Sequence, residues 1–445
     1  MSHNPKGNIR ASLLIILYNT RNSHVGANQM KSLDQYNFFS EELITKLIPG
    51  KYELMPNVND LFELEFALGE LNNLTDDELI HRSGFIGKVN GNETNHYKIG
   101  LASSIDIYNN KSIRTRSFFS KGRFSTGYSV HSLFPYRGKF HAQLIKGILN
   151  NIGIKPGETV LDPMMGSGTA CIEAQLIGAN SVGFDISPFC VLMASAKSKG
   201  LVTKPVVFDK ALLNLNKTVD YIQSHSAQFL EKSFLNDERT LIVLAFLDAM
   251  GYARRVTGKV VTDMFPEVLT RYKNTIFTFS NLLDDLDLQL GTVKYEIGDA
   301  MALPIDDQSV DGIITSPPYS FAIDYVENDL PQLEFLGVNP NELRNSLIGL
   351  RGGKKKADRI QKYLEDLDIM ISEMARVLKP GKFCVIIIGS NEIQTGGFRF
   401  EENAKEFAQK HGLKLKKAMI KPIRGIQNSM ADEYVLFFKK NNIHE

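Results

Sequence analysis

Two short motifs in this chain carry residue types that could transfer a group to an amine. Residues 162–169 have the sequence Asp-Pro-Met-Met-Gly-Ser-Gly-Thr and follow a short apolar run. Residues 316–319, with the sequence Ser-Pro-Pro-Tyr, follow the strand-like run 310–315. Each motif alone is only suggestive, because Gly-rich turns also bind phosphates and Pro-Pro pairs also end strands. In this order on one chain, they predict a donor site beside an amine-acceptor site.

The first motif has the features of a nucleotide-binding crevice. Asp162 would lie at the carboxyl end of a strand, and Gly166 and Gly168 would let the chain turn tightly and a ligand approach the backbone. No Gly-Lys-Ser/Thr follows these glycines, which disfavours triphosphate hydrolysis. An acid at position 162 would repel a pyrophosphate, so a dinucleotide is disfavoured as well. A ligand with a positive charge, such as an ammonium and a sulfonium, is favoured instead.

Two further acids follow predicted strands. Asp185 ends the next strand and could accept hydrogen bonds from both hydroxyls of a ribose, although such an acid can also cap a helix. Asp299 follows the strand after that and could accept a hydrogen bond from the amine of an adenine ring. Together with Asp162, these acids predict a ligand that carries adenosine at one edge of a sheet.

The elements that must position these residues are typical of an α/β fold. From residue 143 onward, short apolar runs alternate with amphipathic segments, which predicts a doubly wound sheet with helices on both faces. Seven strands are predicted, at residues 159–161, 181–184, 293–297, 310–314, 383–388, 413–420 and 434–438. Residues 201–291 have helical periodicity and are too long for a connection, so we expect a helical insertion there.

Composition excludes several classes of protein. The 445 residues are 43% hydrophobic and 23% charged with a net charge of +1, which is ordinary for a globular protein. The early apolar run 13–17 is much shorter than the roughly 20 residues of a membrane-spanning helix, so we expect no membrane partner and residence in the cytoplasm. Cys171, Cys190 and Cys384 form no close pair, so we expect buried thiols rather than disulfides or a metal site.

One segment combines positive charge with aromatic rings. No Asp or Glu lies between Asp106 and Glu158, whereas Lys, Arg, Phe and Tyr are interleaved there. Cations that neutralise phosphates and rings that stack on bases are the ingredients of a nucleic-acid surface. The cations assigned to this surface are Arg114, Arg116, Lys121 and Arg123. The alternative is a solvated loop whose aromatic residues belong to the core.

These motifs resemble those of the S-adenosylmethionine-dependent amino-methyltransferases, which methylate exocyclic amines of DNA bases and, in related branches, of RNA. The resemblance covers residues 134–445 and implies a Rossmann-like methyltransferase domain there, with the insertion 201–291 inside it. We expect recognition of the nucleic-acid sequence by the N-terminal region, 1–133, by the insertion, or by both. It implies that residues 162–169 bind the methionine part of the donor, although Met164 replaces the usual Phe. The donor-binding residues that it implies are Lys139, Phe140, His141, Asp162, Pro163, Gly166, Ser167, Gly168, Thr169, Asp185, Ile186, Asp299 and Ala300.

The second motif suits catalysis on an aromatic amine. The lone pair of a base amine is delocalised into the ring, so the enzyme must accept hydrogen bonds from both N–H groups as the methyl group approaches. Pro317 and Pro318 would hold the backbone rigid, leaving the Ser316 hydroxyl and the Pro317 carbonyl as acceptors, while Tyr319 could stack on an extruded base. The alternative is a turn that ends a strand, with a core tyrosine.

The substrate is predicted from the first residue of this motif. In the family, Ser-Pro-Pro-Tyr is associated with cytosine N4, and Asp-Pro-Pro-Tyr more often with adenine N6 or with guanine N2 of transfer RNA. Ser316 therefore favours cytosine in DNA. A helix over residues 322–334 would carry Asp324, Tyr325 and Asn328 toward the base edge. Phosphates could be bound by the stretch that begins at Arg351, through Lys354, Lys355 and Lys356.

Three interpretations of function remain. The favoured one is a site-specific DNA methyltransferase of a restriction-modification or defence system, with cognate restriction or defence proteins as partners. The second is a base methyltransferase that acts on RNA, such as transfer RNA. The third is a protein of the same fold that binds nucleic acid without catalysis. An adenine-N6 enzyme is a variant of the first.

Overall fold

The structure is a computed structural model of the chain. It describes residues 46–58, 60–104, 127–136, 138–318, 324–352, 355–389, 398–422 and 432–442. The N-terminal elements are β1 (Tyr52–Leu54), α1 (Leu61–Asn73), α2 (Asp76–Arg82), β2 (Ile86–Val89), β3 (Asn92–Glu93), α3 (Asn95–Ser104) and a 3-10 turn (Ser129–Ser132). The three short strands form an antiparallel sheet.

The rest of the described chain alternates strands with helices. The first part contains α4 (Ala142–Asn151), β4 (Thr159–Asp162), α5 (Thr169–Leu176), β5 (Asn180–Asp185), α6 (Pro188–Gly200), α7 (Val206–Leu213), α8 (Leu215–Ser224), α9 (Lys232–Leu235), α10 (Thr240–Arg255) and α11 (Val261–Leu286). The second part contains β6 (Val293–Ile297), β7 (Val310–Thr315), α12 (Tyr325–Asn328), α13 (Leu330–Phe335), α14 (Pro340–Ser346), α15 (Lys356–Val377), β8 (Leu378–Ile388), α16 (Phe400–Lys410), β9 (Leu413–Pro422) and β10 (Asp432–Lys440).

A seven-stranded sheet organises the molecule, with the strand order β6-β5-β4-β7-β8-β10-β9. The first five strands in this order are parallel, and β10 lies antiparallel between β8 and β9. Every predicted strand is present, and the predicted doubly wound α/β class is confirmed. Because β4, β5, β6 and β7 are parallel neighbours, their carboxyl ends meet at one edge of the sheet, which is where such sheets bind ligands.

Both faces of this sheet are covered because side chains alternate along each strand. Val160 of β4 and Ile314 of β7 face one side, where α4 and α5 pack, together with Phe66 of α1. Leu161 and Ile313 face the other side, against α15 and α16. The described N-terminal elements therefore share a hydrophobic core with the sheet.

Residues 201–291 hold α7 to α11, and these helices also share a core with the sheet domain. Phe246 of α10 packs edge-on against Phe265 of α11, with ring centroids 5.3 Å apart. The same buried cluster includes Phe189 of α6 and Phe134, whose ring centroids also lie 5.3 Å apart. Among the helices in the described part of the chain, none has both the length and the apolar character of a membrane span.

The prediction of one helix over residues 322–334 is wrong for its described part. The helix α12 ends at Asn328 and α13 begins at Leu330, with the backbone of Asp329 at φ −100° and ψ 8° between them. Pro331 lies in the first turn of α13, where its missing N–H needs no partner within the helix. The chain therefore turns at Asp329, directly beside the edge of the sheet where β7 ends.

Candidate active site

A cleft of about 810 Å³, counting the part that is open to solvent, lies at the carboxyl ends of β4 to β7. The strand ends contribute Pro163, Gly166, Asp185, Ile186, Asp299, Ala300, Ser316 and Pro318 to its walls. Six of the residues predicted to bind the donor and two of those predicted to receive the amine thus meet in one cavity. Tyr319 lies outside the described residues.

A hydrogen bond joins the two motifs directly. The hydroxyl of Thr315, the residue before Ser316, donates to Oδ1 of Asp162 over 2.9 Å, across the neighbouring strands β7 and β4. The other carboxyl oxygen of Asp162 is buried and has no hydrogen-bond partner among the described residues. Burial raises the pKa of this carboxyl to about 7. Asp162 itself is fully buried and does not line the cleft, so its contact with the donor stays a prediction.

The turn after β4 is tied to the acid that ends β5. The N–H of Gly166 donates to Oδ2 of Asp185 over 2.9 Å, and the N–H of Ser187 donates to Oδ1 over 2.8 Å. Burial raises the pKa of the Asp185 carboxyl to about 6. Gly166 has a φ of +49°, in the left-handed region that favours glycine. The carboxylate therefore fixes the Gly-rich turn and still faces the cleft.

Gly168 begins α5 with a φ of +77°, and a Cβ added there would lie 2.7 Å from the Cβ of Ala194. Replacing Gly168 with Ala is expected to lower the free energy of unfolding by about 2 to 4 kcal/mol, through backbone strain and overpacking. Urea denaturation would measure it. Gly153→Ala is the matched control, because its φ is also +77° but nothing lies within 4 Å of its added Cβ. An equal loss in both variants would contradict the packing argument.

Aromatic rings close one side of the cleft. Tyr136 and Tyr325 stack with ring centroids 6.3 Å apart and an angle of 21° between their planes. Cε1 of Tyr136 lies 3.5 Å from where a Cβ on Gly166 would be, so this ring covers the Gly-rich turn. The Tyr136 hydroxyl is 3.5 Å from Sγ of Cys190, which lines the cleft although it is only 3% exposed.

The comparison with known families agrees with this geometry. The model of a DNA methylase family, named for N6 and N4 methylation, matches residues 90–196 and 310–444, which are more than half of the chain. The chain belongs to this family. This membership confirms the family that was predicted from the sequence. At the level of the family, it also confirms the predicted enzyme class, N-methyltransferase, and the predicted methyl donor, S-adenosylmethionine. The match leaves out residues 197–309, where α7 to α11 and β6 lie.

Individual relatives match parts of the chain. The type II methyltransferase M.BsoBI of Geobacillus stearothermophilus is 24% identical over 283 residues, which are 48% of this chain and 54% of that protein. The type II methyltransferase M.MjaII of Methanocaldococcus jannaschii is 40% identical over 93 residues, 21% of this chain and 17% of that protein. A tRNA (guanine(10)-N2)-dimethyltransferase of Methanothermobacter thermautotrophicus is 28% identical over 168 residues, 37% of this chain and 50% of that protein. The chain thus spans about half, or less, of the length of these relatives.

Some residues assigned to the donor do not line the cleft. Lys139 donates to the carbonyl of His131 over 2.9 Å, and Phe140 packs into the core beside the sheet. His141 is half-buried at the start of α4 with its Nδ1 buried, and desolvation lowers the pKa of its imidazole to about 3. In this segment the cleft is lined by Tyr136 and Gly138, so the assignment of Lys139, Phe140 and His141 to the donor stays a prediction.

Two other predicted donor residues act within the turn itself. Ser167 and Thr169 are buried, and their hydroxyls are hydrogen-bonded to each other over 3.2 Å. They flank Gly168, where α5 begins, and their side chains do not line the cleft. Their mutual hydrogen bond therefore stabilises the turn from its buried side.

The predicted nucleic-acid residues fall partly outside the described part of the chain. Arg114, Arg116, Lys121, Arg123 and Lys354 lie outside the described residues. Lys355 and Lys356 are exposed where α15 begins. The guanidinium of Arg351 is paired with the buried Asp366, and its role as a phosphate contact stays a prediction.

Three described residues of the basic, aromatic segment are buried in the core. Tyr128 is buried and donates to Oε1 of Glu173 over 2.8 Å, and Phe134 is 6% exposed. Lys146 is 3% exposed and lies 3.4 Å from Oε2 of the same glutamate. For these residues the alternative interpretation, aromatic residues that belong to the core, is the correct one.

Asp324, which was predicted to contact the base edge, is engaged within the protein at the start of α12, and its contact with a base stays a prediction. Its Oδ1 accepts from the N–H of Glu327 over 3.0 Å at the start of α12, and its Oδ2 is paired with Arg344.

Sequence reasoning missed Asp329. Its carboxyl lines the cleft, and burial, together with the nearby Asp185 carboxylate, raises its pKa to about 7. It was overlooked because it lies inside the segment predicted as one helix. The Asp-Leu-Pro sequence at 329–331 is the signal that could have indicated a helix break there.

Proposed function

We propose that this protein is a site-specific DNA amino-methyltransferase that modifies an exocyclic amine of a flipped-out base, with cytosine N4 as the favoured position. The observation that supports it is the shared cleft, in which Gly166 and Asp185 on the donor side lie with Ser316 on the acceptor side. Membership of the DNA methylase family supports DNA as the substrate.

The donor would be held by groups that end three neighbouring strands. The unpartnered oxygen of Asp162 and the backbone at Gly166 suit the charged methionine part. Asp185 suits the ribose hydroxyls, and Asp299 suits the adenine amine. S-adenosylmethionine supplies a methyl group on a sulfonium, which is the electrophile that this reaction needs.

The acceptor side would activate the base amine by hydrogen bonding. Ser316 Oγ and the Pro317 carbonyl would accept from the two N–H groups, which localises the nitrogen lone pair toward the methyl group. Thr315 is fixed to Asp162, so these acceptors are held in register with the donor side. Rigid placement of this kind lowers the barrier because little reorganisation remains when the base arrives.

Ser316 supports cytosine N4, while the family and its type II relatives leave adenine N6 open. A second candidate is a tRNA base methyltransferase, which the likeness to a tRNA (guanine(10)-N2)-dimethyltransferase supports.

One assay distinguishes these functions. The protein would be incubated with isotopically labelled S-adenosylmethionine and either unmethylated genomic DNA or total transfer RNA, and the modified nucleoside would be identified by mass spectrometry. Labelled N4-methyldeoxycytidine is the expected product. If the product were N6-methyldeoxyadenosine, the target base would be assigned as adenine instead of cytosine. If only transfer RNA were labelled, the substrate would be assigned as RNA instead of DNA. No label in either would leave the non-catalytic interpretation.

A phosphate contact near α15 gives a separate prediction. Replacing Lys354, Lys355 and Lys356 with Ala is expected to weaken DNA binding at low salt and to reduce the slope of log Kd against log salt by about 0.9 for each phosphate that is no longer neutralised. Fluorescence anisotropy over a salt series measures this slope. The matched control replaces three exposed lysines of the insertion, Lys204, Lys210 and Lys217. Equal slopes for the two triple variants would remove the proposed contact.

A further inference from the structure

A second cleft, of about 730 Å³ including its open part, borders the candidate active site. Tyr136, Tyr325 and Asp329 line both clefts. The far wall of the second cleft is the C-terminal end of α10, which contributes Arg254 and Arg255. This helix lies in the part of the chain that the family match leaves out.

The guanidinium of Arg255 is held in place by a chain of contacts. It lies 5.1 Å from the ring centroid of Tyr252. The Tyr252 hydroxyl accepts from Nη1 of Arg271 over 3.1 Å, and Nη2 of Arg271 donates to the carbonyl of Leu133 over 2.9 Å and is paired with the buried Asp248. Contacts through Tyr252 and Arg271 therefore connect Arg255 to the buried Asp248.

The charge of Arg255 is not compensated by the acids of this cleft. Glu327 is paired with Arg254 instead. The Arg254 guanidinium donates to the main-chain carbonyl of Glu327 over 2.9 Å and forms an ion pair with the Glu327 carboxylate over 2.5 Å. Asp329 has a pKa raised to about 7 by burial, so it carries only part of a negative charge at neutral pH. Arg255 is exposed and makes no ion pair with any residue that the structure describes. Within the described chain, this cleft therefore exposes the guanidinium of Arg255 to solvent, where it could bind an anionic group of a ligand.

We propose that the second cleft binds a backbone phosphate of the acceptor DNA strand beside the flipped nucleotide, with Arg255 as the cationic contact. This inference rests on the proposed function. A guanidinium binds a phosphate through two parallel hydrogen bonds, and the ring of Tyr136 in the same cleft offers a surface for the neighbouring nucleotide. The inserted helix α10 would thus complete the binding site of the strand that carries the target base.

The competing explanation is that Arg255 only stabilises α10, since a cation in the last turn of a helix interacts favourably with the helix dipole. That role would change the thermal stability of the protein and leave nucleic-acid binding unchanged.

The test compares Arg255→Ala, Arg255→Lys and the control Lys217→Ala, an exposed residue of α8 that does not line this cleft. Binding of a fluorescent mixed-sequence DNA duplex would be measured by anisotropy in the presence of S-adenosylhomocysteine, over a salt series. Arg255→Ala is expected to weaken duplex binding about 10-fold at low salt and to reduce the salt slope by about 1. Arg255→Lys keeps the charge and loses the two-pronged geometry, so it should fall between wild type and Ala. The affinity for S-adenosylhomocysteine should be unchanged in all variants.

Each outcome decides between the alternatives. Duplex binding of Arg255→Ala equal to that of Lys217→Ala would overturn the phosphate contact, as would a loss confined to thermal stability. A loss seen with transfer RNA and not with the duplex would overturn DNA as the ligand. If the wild-type protein binds S-adenosylhomocysteine but neither nucleic acid, the proposed function itself fails, and the inference fails with it.

Discussion

Replacing Ser316 with Ala is expected to lower the rate of methyl transfer by about 100-fold or more, because one of the two hydrogen-bond acceptors that activate the base amine is removed. The affinity for S-adenosylmethionine should not change, since Ser316 lies on the acceptor side of the cleft and the donor acids follow other strands. Single-turnover kinetics at saturating donor would measure the rate of transfer, and calorimetry would measure the affinity for the donor.

The matched control is Ser309→Ala, which removes a hydroxyl next to the opposite end of β7. The Ser309 hydroxyl donates to the carbonyl of Asp306 over 2.7 Å, far along the strand from the cleft. This variant should transfer methyl groups at the wild-type rate. Full activity of Ser316→Ala would mean that another group activates the amine, and the assignment of this serine would be withdrawn.

The strands and the meeting of the two motifs could be predicted from the sequence because local patterns determine them. The run 310–315 is buried throughout, as a parallel strand covered on both faces should be. The acids at 162 and 185 directly follow the apolar parts of such strands, so parallel pairing alone brings them to one edge. No long-range information is needed for this step.

The rest of the site depends on contacts between distant residues, which local patterns do not contain. Tyr128 and Lys146 looked like parts of a nucleic-acid surface because their partner, Glu173, lies well beyond them in the chain. Arg255 was not singled out because its significance depends on α10 lying beside Tyr325, and the two are linked only by tertiary packing. Such residues are found only once the fold has placed the insertion against the sheet.

Replacing Asp185 with Asn is expected to reduce the affinity for S-adenosylmethionine about 100-fold, or about 2.7 kcal/mol. One oxygen of this carboxylate accepts from the N–H of Gly166 and the other from the N–H of Ser187. Whichever way an asparagine amide is turned, its NH2 group would face one of these N–H donors. The Gly-rich turn would lose an anchor, and the ribose would lose a charged acceptor.

The control for this effect is Asp311→Asn, at the other end of the sheet. Asp311 is also mostly buried, at 8% exposed, and it accepts from the N–H of Thr159 over 3.1 Å and from Lys379 over 2.8 Å. Its replacement should lower the stability of the fold while the affinity for S-adenosylmethionine, measured by calorimetry for both variants, stays at the wild-type value. If both variants lost affinity equally, the effect would come from weakened strand packing in general. A loss confined to Asp185→Asn would instead place the ribose at this carboxylate, since Asp185 lines the cleft and Asp311 does not.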